Sequence, residues 1–354
     1  MPPTDVTCVV HAHSVHSDGT GTVEEIAAQA ARAEVDVVLL TDHDSLEARS
    51  RGAERYHGPV LVCVGEEVSP RNGNHYLAFG LDEEIDHHGL TAAEIVVAVA
   101  EAGGFGFLAH PFSSGSVRFR RAGPGMPWDD LEAPGYTGLE LWSFVTDSAE
   151  RVNGIGDLLR FIAAPGRFID HPPRRNLGLW DEICRRQRCV ALGGIDAHQV
   201  GIRVGNRVPL RLMAYERSFR HVRTHLLSDT PLNGDLDADS DAIYGALRAG
   251  RAYIAVDSLA PARGFRFWAE GAEGRRAEMG DETGAAEWVL QVRTARAARV
   301  RLLRDGEAVA ETHGDALEHW TDSPGVYRVE AYLEAHGRAR TWVLSNPIYV
   351  RAGV

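Results

Sequence analysis

Short apolar runs punctuate the first two-thirds of the chain, at residues 6–10, 35–40, 59–64, 77–79, 105–108, 139–141 and 190–192. Stretches with helical spacing lie between several of them. Residues 23–33 place Val23, Ile26, Ala27, Ala30 and Ala31 on one face, and residues 92–102 read the same way. Apolar strands separated by amphipathic helices predict a parallel sheet or an α/β barrel. In such barrels the chemistry collects where strands end and loops begin.

The chain has 354 residues, 44% hydrophobic and 25% charged, ample for a core. One large domain and one small one is the expectation for this length. The pattern loosens over 113–190, where Gly/Pro-rich turns accompany Arg118, Arg120, Arg121, Trp128 and Trp142; this stretch reads as a lid-like insertion over the substrate. Near Ser258 the texture changes to short strand-like segments at 264–270, 287–293, 300–304, 326–333 and 340–344. Turns such as Asp305-Gly306 and Ser323-Pro324-Gly325 separate them, which is the pattern of a small antiparallel β-sandwich. The boundary falls at about Val256, giving a barrel over 1–255 and a sandwich over 256–354.

A formal net charge of -13 argues against an extended nucleic-acid surface, because phosphate backbones need a basic footprint. Every cation is Arg; the chain contains no Lys. Schiff-base chemistry, a pyridoxal-phosphate anchor and a P-loop lysine are thereby excluded. None of Cys8, Cys63, Cys184 and Cys189 forms a CxxC pair, and Cys8 and Cys63 sit in apolar runs. Free buried thiols in a reducing compartment are the expectation. The N-terminal residues lack a basic stretch followed by an apolar one, and no apolar run nears the roughly 18 residues of a membrane span. A soluble, cytoplasmic protein is expected.

Histidines and carboxylates recur at one kind of place, the C-terminal ends of the apolar runs. Run 6–10 leads into His11 and His13, with Asp18 beyond; 35–40 leads into Asp42 and His43; 59–64 leads into Glu66 and Glu67. His75 follows the Asn72-Gly73 turn, 105–108 ends at His110, and 190–192 leads to Asp196 and His198. In extended chain, residues i and i+2 point the same way, so His11/His13 and Asp196/His198 are same-face pairs. Imidazole and carboxylate without thiolate suit Zn²⁺, Mn²⁺ or Fe²⁺. Glu67 is the best-placed carboxylate to bridge two ions, as two-metal sites require.

The ordered series His11-x-His13-Ser14…Ser17-Asp18-Gly19, Thr41-Asp42-His43-Asp44, Gly65-x-Glu67-Val68-Ser69, His110-Pro111 and Gly194-x-Asp196-Ala197-His198 resembles the PHP (polymerase and histidinol phosphatase) domain. The resemblance implies a distorted (β/α)7 barrel with two or three divalent ions. It implies His11, His13, Glu67 and Asp196 at a first ion, Glu67, His75 and His110 at a second, and Asp18, His43 and His198 at a third. Asp42 and Glu66 would support the ligands or pack outward. Gly250-Arg251-Ala252-Tyr253-Ile254 and the terminal Ser345-Asn346-Pro347-Ile348-Tyr349-Val350 are similar to the carbaryl-hydrolase-like (CehA/McbA) group, which appends a β-sandwich, Ig-like in type, to the barrel.

Other signals point less far. Asp235-x-Asp237-x-Asp239-x-Asp241 mimics an EF-hand loop, but Ser240 and Ala246 stand where Gly and Glu are needed, so it reads as a loop entering a helix N-cap. His221 and His225 are four apart on an expected helix, without the Glu of a zinc-protease motif. His87-His88 and His171 read as exposed loop. Arg174 and Arg175 read as surface. Arg203 and Arg207 follow His198 closely and are candidate substrate-binding residues, as is Trp142 after run 139–141.

The chemistry expected is hydrolysis of a small-molecule substrate by a metal-bridging hydroxide, with Glu67, Asp18 and His198 as the catalytic candidates. The general acid is open between a carboxylic acid and a lid His. A phosphoesterase acting on a small phosphorylated or nucleotide substrate is the first reading. A carbamate, ester or amide hydrolase on the same centre is the second. A non-catalytic, metal-stabilised binding module is the third.

Overall fold

The computed structural model describes residues 3–71, 73–116, 125–168, 170–199 and 213–352. Seven strands close into a ring: β1 (Thr4–Ala12), β2 (Val37–His43), β3 (Val60–Val68), β4 (Tyr76–Phe79), β5 (Phe105–Leu108), β6 (Gly138–Ser143) and β7 (Val190–Ala197). Neighbours pair in chain order, and β7 closes on β1 through Val10↔Gly194 and Ala12↔Ala197. The pairs are parallel except at β4, which runs antiparallel to both β3 and β5. The fold is thus α/β with a closed seven-strand barrel, and β4 departs from strict β/α alternation. The cause is local: only residues 69–75 join β3 to β4, too few for the crossover that a parallel pair needs.

The period of two sorts the side chains of the ring. Val37 and Leu39, Leu61 and Cys63, and Val190 and Leu192 share one apolar cluster with Ile243 and Leu247 of helix Leu236–Ala249. Continuing on the same faces, the next inward positions are Thr41 and His43, Gly65 and Glu67, and Gly194 and Asp196. An apolar floor therefore sits below and the polar ligand types above. The opposite faces, with Val38, Leu40, Val62 and Val64, pack on Ile26, Ala27 and Ala30 of helix Val23–Arg32 and on Ile95 and Val99 of helix Ala92–Glu101. Thr22 with Glu25, and Thr91 with Glu94, form capping boxes that start these helices. Asp235 caps helix Leu236–Ala249 by accepting the Ala238 N–H. No helix among the described residues is long and apolar enough to cross a membrane.

Three sequence expectations change. Stretch 113–190 is not a single insertion: it contains ring strand β6 and helices Phe144–Glu150, Ile155–Ala163 and Arg174–Arg186. His225 is not helical. It lies in strand β8 (Val222–Ser228), antiparallel to the lower half of β1 and to β9 (Ala252–Val256); pairing on both sides outweighs the helix-like spacing of His221 and His225. The segments at 287–293 and 300–304 form one strand, Trp288–Arg304, whose register shifts between Arg293 and Ala298.

Beyond Val256 the strands Arg266–Gly271, Trp288–Arg304, Glu307–Thr321, Gly325–Ala335, Arg338–Ser345 and Ile348–Arg351 surround a separate apolar cluster that includes Phe267, Leu290, Val300, Val329 and Trp342. Hydrogen bonding runs on into the barrel side, since Tyr253–Ala255 pair with Val343–Ser345. The Asn346 side chain bonds both the N–H and the C=O of Ala191, and the Ala252 carbonyl. The Tyr349 hydroxyl accepts the Cys189 N–H. The terminal Ser-Asn-Pro-Ile-Tyr stretch is thus a dock onto β7. Arg328 adds a buried pair, with Nε and Nη2 2.6 and 2.8 Å from the Asp181 carboxylate on helix Arg174–Arg186.

A second ionic clamp joins β1 and β8 to the chain after β9. His225, fully buried, lies 2.9 Å from Asp5 and 3.2 Å from Asp257. Tyr253 stacks on its ring and donates to Asp5; Arg223 pairs with Asp257, and Arg266 stands 3.4 Å from Asp5. Burial disfavours the imidazolium, but Asp257 and Asp5 outweigh it and raise the pKa of His225. A raised folded pKa contributes stability that is present below the usual histidine value near 6.5 and is lost as pH rises through the folded value. Melting temperature is therefore expected to fall above pH 6.5 with a component that His225→Gln removes. His225→Ala, which removes the imidazole shared by Asp5 and Asp257 and leaves Arg266 and Arg223 as their remaining counter-charges, is expected to cost about 1–3 kcal/mol in denaturant unfolding. Parallel pH profiles for wild type and His225→Gln would contradict the clamp.

Candidate metal centre

The polar cluster at the ring's mouth depends on backbone that departs from regular strand. His11, His110 and Asp196 have φ of 67°, 30° and 57°, in the left-handed region that side chains rarely adopt. His11 sits where β1 shifts register against β7, between Val10 and Ala12. The shift turns His11 and His13 into the cluster although Val6, Cys8 and Val10 already occupy the apolar interior below. Such strain costs about 1–3 kcal/mol per residue and persists where surrounding structure enforces it.

Glu67 lies at the centre. One carboxylate oxygen is 3.2 Å from His11 Nε2, 3.4 Å from His13 Nε2 and 3.1 Å from His43 Nδ1. The other is 2.8 Å from His75 Nδ1 and 3.3 Å from His110 Nε2. Asp196 Oδ1 stands 3.5 Å from both His11 Nε2 and His13 Nε2. At the outer edge Asp18 Oδ1 is 3.1 Å from His198 Nε2, 3.8 Å from His43 Nε2 and 3.9 Å from His13 Nδ1. Four groupings follow, each with its donor atoms mutually within 4.8 Å: His11/His13/Asp196, His11/Glu67/His110, His43/Glu67/His75 and His13/Asp18/His43/His198. All nine candidates from the sequence meet in one place. His13 is the broadest of the imidazoles, reaching Glu67, Asp196 and Asp18.

The electrostatics suit a cation. Burial opposes the charged form of Glu67 and Asp196, yet His11 and the other imidazoles hold both well below the usual carboxylate range. Burial likewise opposes an imidazolium at His11, and Glu67, Glu140 and Asp196 overcome it and raise its pKa well above normal. His198, despite burial, is pushed up to about 9 by Asp18 and Asp196. His13 is pushed down to about 4 by burial and by His198. Among the described residues neither ring nitrogen of His13 has a hydrogen-bond partner, although the ring is fully buried; His110 Nδ1 is also without one there. Buried imidazole nitrogens facing carboxylates without a shared proton are costly, and a divalent ion between them removes the cost. The residues present fit such ions.

Sequence reading missed several supporting groups. Glu140, on β6, is 1% exposed; it lies 3.3 Å from His11 Nδ1 through both oxygens and accepts the His110 N–H at 2.8 Å. Thr146 donates to Asp196 Oδ2 at 2.6 Å. Ser69 lies 2.7 Å from His43 Nδ1. The Tyr215 hydroxyl is 2.7 Å from the His13 carbonyl and 3.1 Å from that of His198. Asp42 accepts from the Ser14 N–H, the Ser14 hydroxyl and the Ser17 hydroxyl, which fixes the loop carrying His13 and Asp18. Glu66 points away, accepting the Ile85 N–H, and burial pushes its pKa up to about 7.

Trp142 does not join the site. The β6–β7 register shifts between Glu140 and Trp142, so Trp142 packs with Leu139 and Leu141 in the outer core at 1% exposure. Arg203 and Arg207, like Arg118, Arg120 and Arg121, lie outside the described residues. Arg175 pairs with Glu150, and His87 with Asp44. A cavity of about 570 Å³ opens above the cluster; Val145, Ala149, Met126 and Met213 make an apolar side, and no Arg lines it among the described residues.

No protein-family model matches the sequence, and no curated protein matches it. Solved structures align with it. A two-domain protein from Bacteroides vulgatus, described as containing a predicted PHP-like metal-dependent phosphoesterase, is 13% identical with TM-score 0.46, over 97% of this chain and 95% of that one. A Bifidobacterium adolescentis protein assigned as a metal-dependent phosphoesterase is 17% identical with TM-score 0.35, over 60% of this chain and 94% of its own. An amidohydrolase from Chromobacterium violaceum, with bound sulfate and no metal, is 18% identical with TM-score 0.32, over 58% of this chain and 90% of its own.

An imidazolium cannot ligate, so ions entering at pH 7 must displace the protons that His11 and His198 carry. Titration calorimetry with Zn²⁺ in buffers of different ionisation enthalpy is expected to show net proton release. A buffer-independent binding enthalpy would contradict this charge assignment.

Proposed function

We propose that the chain is a metal-dependent hydrolase holding two or three divalent ions, Zn²⁺, Mn²⁺ or Fe²⁺, and that a small phosphoester is its substrate. The observation that carries this is the meeting of His11, His13, His43, His75, His110 and His198 with Asp18, Glu67 and Asp196, buried except at the Asp18, His43 and His198 edge, in which His13 has no hydrogen-bonding partner for either ring nitrogen among the described residues. His11, His13 and Asp196 with Glu67 would hold one ion, and Glu67, His75 and His110 a second. Asp18, His43 and His198 would hold a third. When bound, such ions supply Lewis acidity and a lowered pKa for water.

The chain's own groups do the rest. Glu67 spans the first two positions from the barrel interior. Asp18 and His198 form the cluster's solvent-facing edge, with side chains 59% and 24% exposed, where a leaving group can receive a proton. The four carboxylates Asp18, Glu67, Glu140 and Asp196 against two or three dications would leave a net charge of 0 to +2, so three ions would best suit a phosphoryl dianion. We also read residues 1–255 as a PHP-type barrel of the distorted (β/α)7 kind and 256–354 as an Ig-like β-sandwich appended to it, in a cytoplasmic protein acting on a small molecule and lacking an extended nucleic-acid surface.

A carbamate, ester or amide hydrolase on the same centre is the second reading. The apolar cavity side formed by Val145, Ala149, Met126 and Met213 favours it. Matched p-nitrophenyl phosphate, bis-phosphate diester, ester and carbamate substrates separate the two. Chelator-sensitive phosphate cleavage is expected, falling more than about 100-fold in the His11→Ala/Asp196→Ala double variant. Chelator-sensitive carbonyl cleavage with inert phosphates would move the protein to the second reading. Turnover that survives both chelation and the double substitution would overturn a metal-dependent hydrolase.

A further inference from the structure

We propose that Glu140 is a positioning residue that holds the ligands of two ion sites at once, through His11 and through the backbone of His110; this rests on the metal-dependent reading above. Glu140 reaches the cluster from β6, below the mouth, and is as deeply buried as Glu67. A carboxylate only accepts, so its approach to His11 Nδ1 through both oxygens, at 3.3 Å, places the ring proton there. Glu67 Oε2 lies 3.2 Å from Nε2 on the other side of the ring, so an ion bound toward Glu67 and Asp196 would replace the proton shared there while Glu140 keeps the one on Nδ1. Histidine ligands are commonly oriented by a carboxylate on the second nitrogen in this way. The same carboxylate takes the His110 N–H at 2.8 Å and so braces a residue at φ 30° whose ring faces the other oxygen of Glu67.

The neighbouring strand is shaped around this group. A Cβ at Gly194 would lie 1.8 Å from Glu140 Oε1 and 2.7 Å from its Cδ. Gly194 therefore has a reason distinct from turn formation: β7 must leave room for a carboxylate directly under the ligands. Thr146 supports only Asp196, and so touches one ion position where Glu140 touches two.

The test measures ion affinity by competition with a chromophoric chelator, using Zn²⁺ and Mn²⁺, alongside the visible spectrum of the Co²⁺-loaded protein. Glu140→Gln is expected to weaken both of the tighter ions by about 10–100-fold and to alter the Co²⁺ bands. Glu140→Asp is expected to recover part of the affinity, and Thr146→Val to weaken one ion only. Folding of each variant is followed by melting without ions. Unchanged affinity and Co²⁺ spectrum in Glu140→Gln would overturn the proposal. So would failure of both Glu140 variants to fold without ions, which would make Glu140 a brace of the barrel. Wild-type protein that takes up no ion would instead overturn the hydrolase reading.

Discussion

The structure turns on a charge-burial problem at Glu67. Its carboxylate is 1% exposed and surrounded by His11, His13, His43, His75 and His110, none more than 3.4 Å away. Burying a lone ion costs several kcal/mol even after relaxation. The imidazoles can repay that cost as acids, by carrying protons, or as bases, by sharing a divalent ion. His13, pushed down to about 4 and without a hydrogen-bond partner among the described residues, answers for the second. The rings are closely packed: His13 and His198 stack with centroids 4.1 Å apart, and His13 and His43 lie tilted at 4.4 Å.

A barrel is a suitable answer because its strands can be rigid below and irregular above. The apolar interior, from Cys8 and Leu39 to Leu192, is continuous and sealed by Ile243 and Leu247. On that floor the chain holds His11, His110 and Asp196 in left-handed conformations that isolated segments would abandon. The docked C-terminal strands reinforce the floor through Asn346 on Ala191, at the start of the strand that carries Asp196 near its other end. Packing at one end of β7 thus supports ligand geometry at the other.

Much of this was legible in the residues. Strand ends carry the ligands because the period of two is strict in a buried strand, and the runs before His43, Glu67 and Asp196 keep it. In β6 the residues mislead. Glu140 is hidden between Leu139 and Leu141 as one polar letter in an apolar run, and its partners His11 and His110 are distant in sequence. Trp142 was assigned to the mouth because the β6 register shift that turns it outward has no signature in the letters Leu-Glu-Leu-Trp. His225 has helix-like spacing from His221, but its partners Asp5 and Asp257 are distant in sequence, and pairing across such separations decides strand over helix.

The most direct measurement is anomalous X-ray scattering from crystals grown with Mn²⁺ or Zn²⁺, recorded on both sides of the metal's absorption edge. The expected result is one peak among His11, His13, Glu67 and Asp196 and another among Glu67, His75 and His110, with any third beside Asp18, His43 and His198. Crystals loaded to the same concentration that show no peak among these residues, or show ions only at surface carboxylates, would contradict the account.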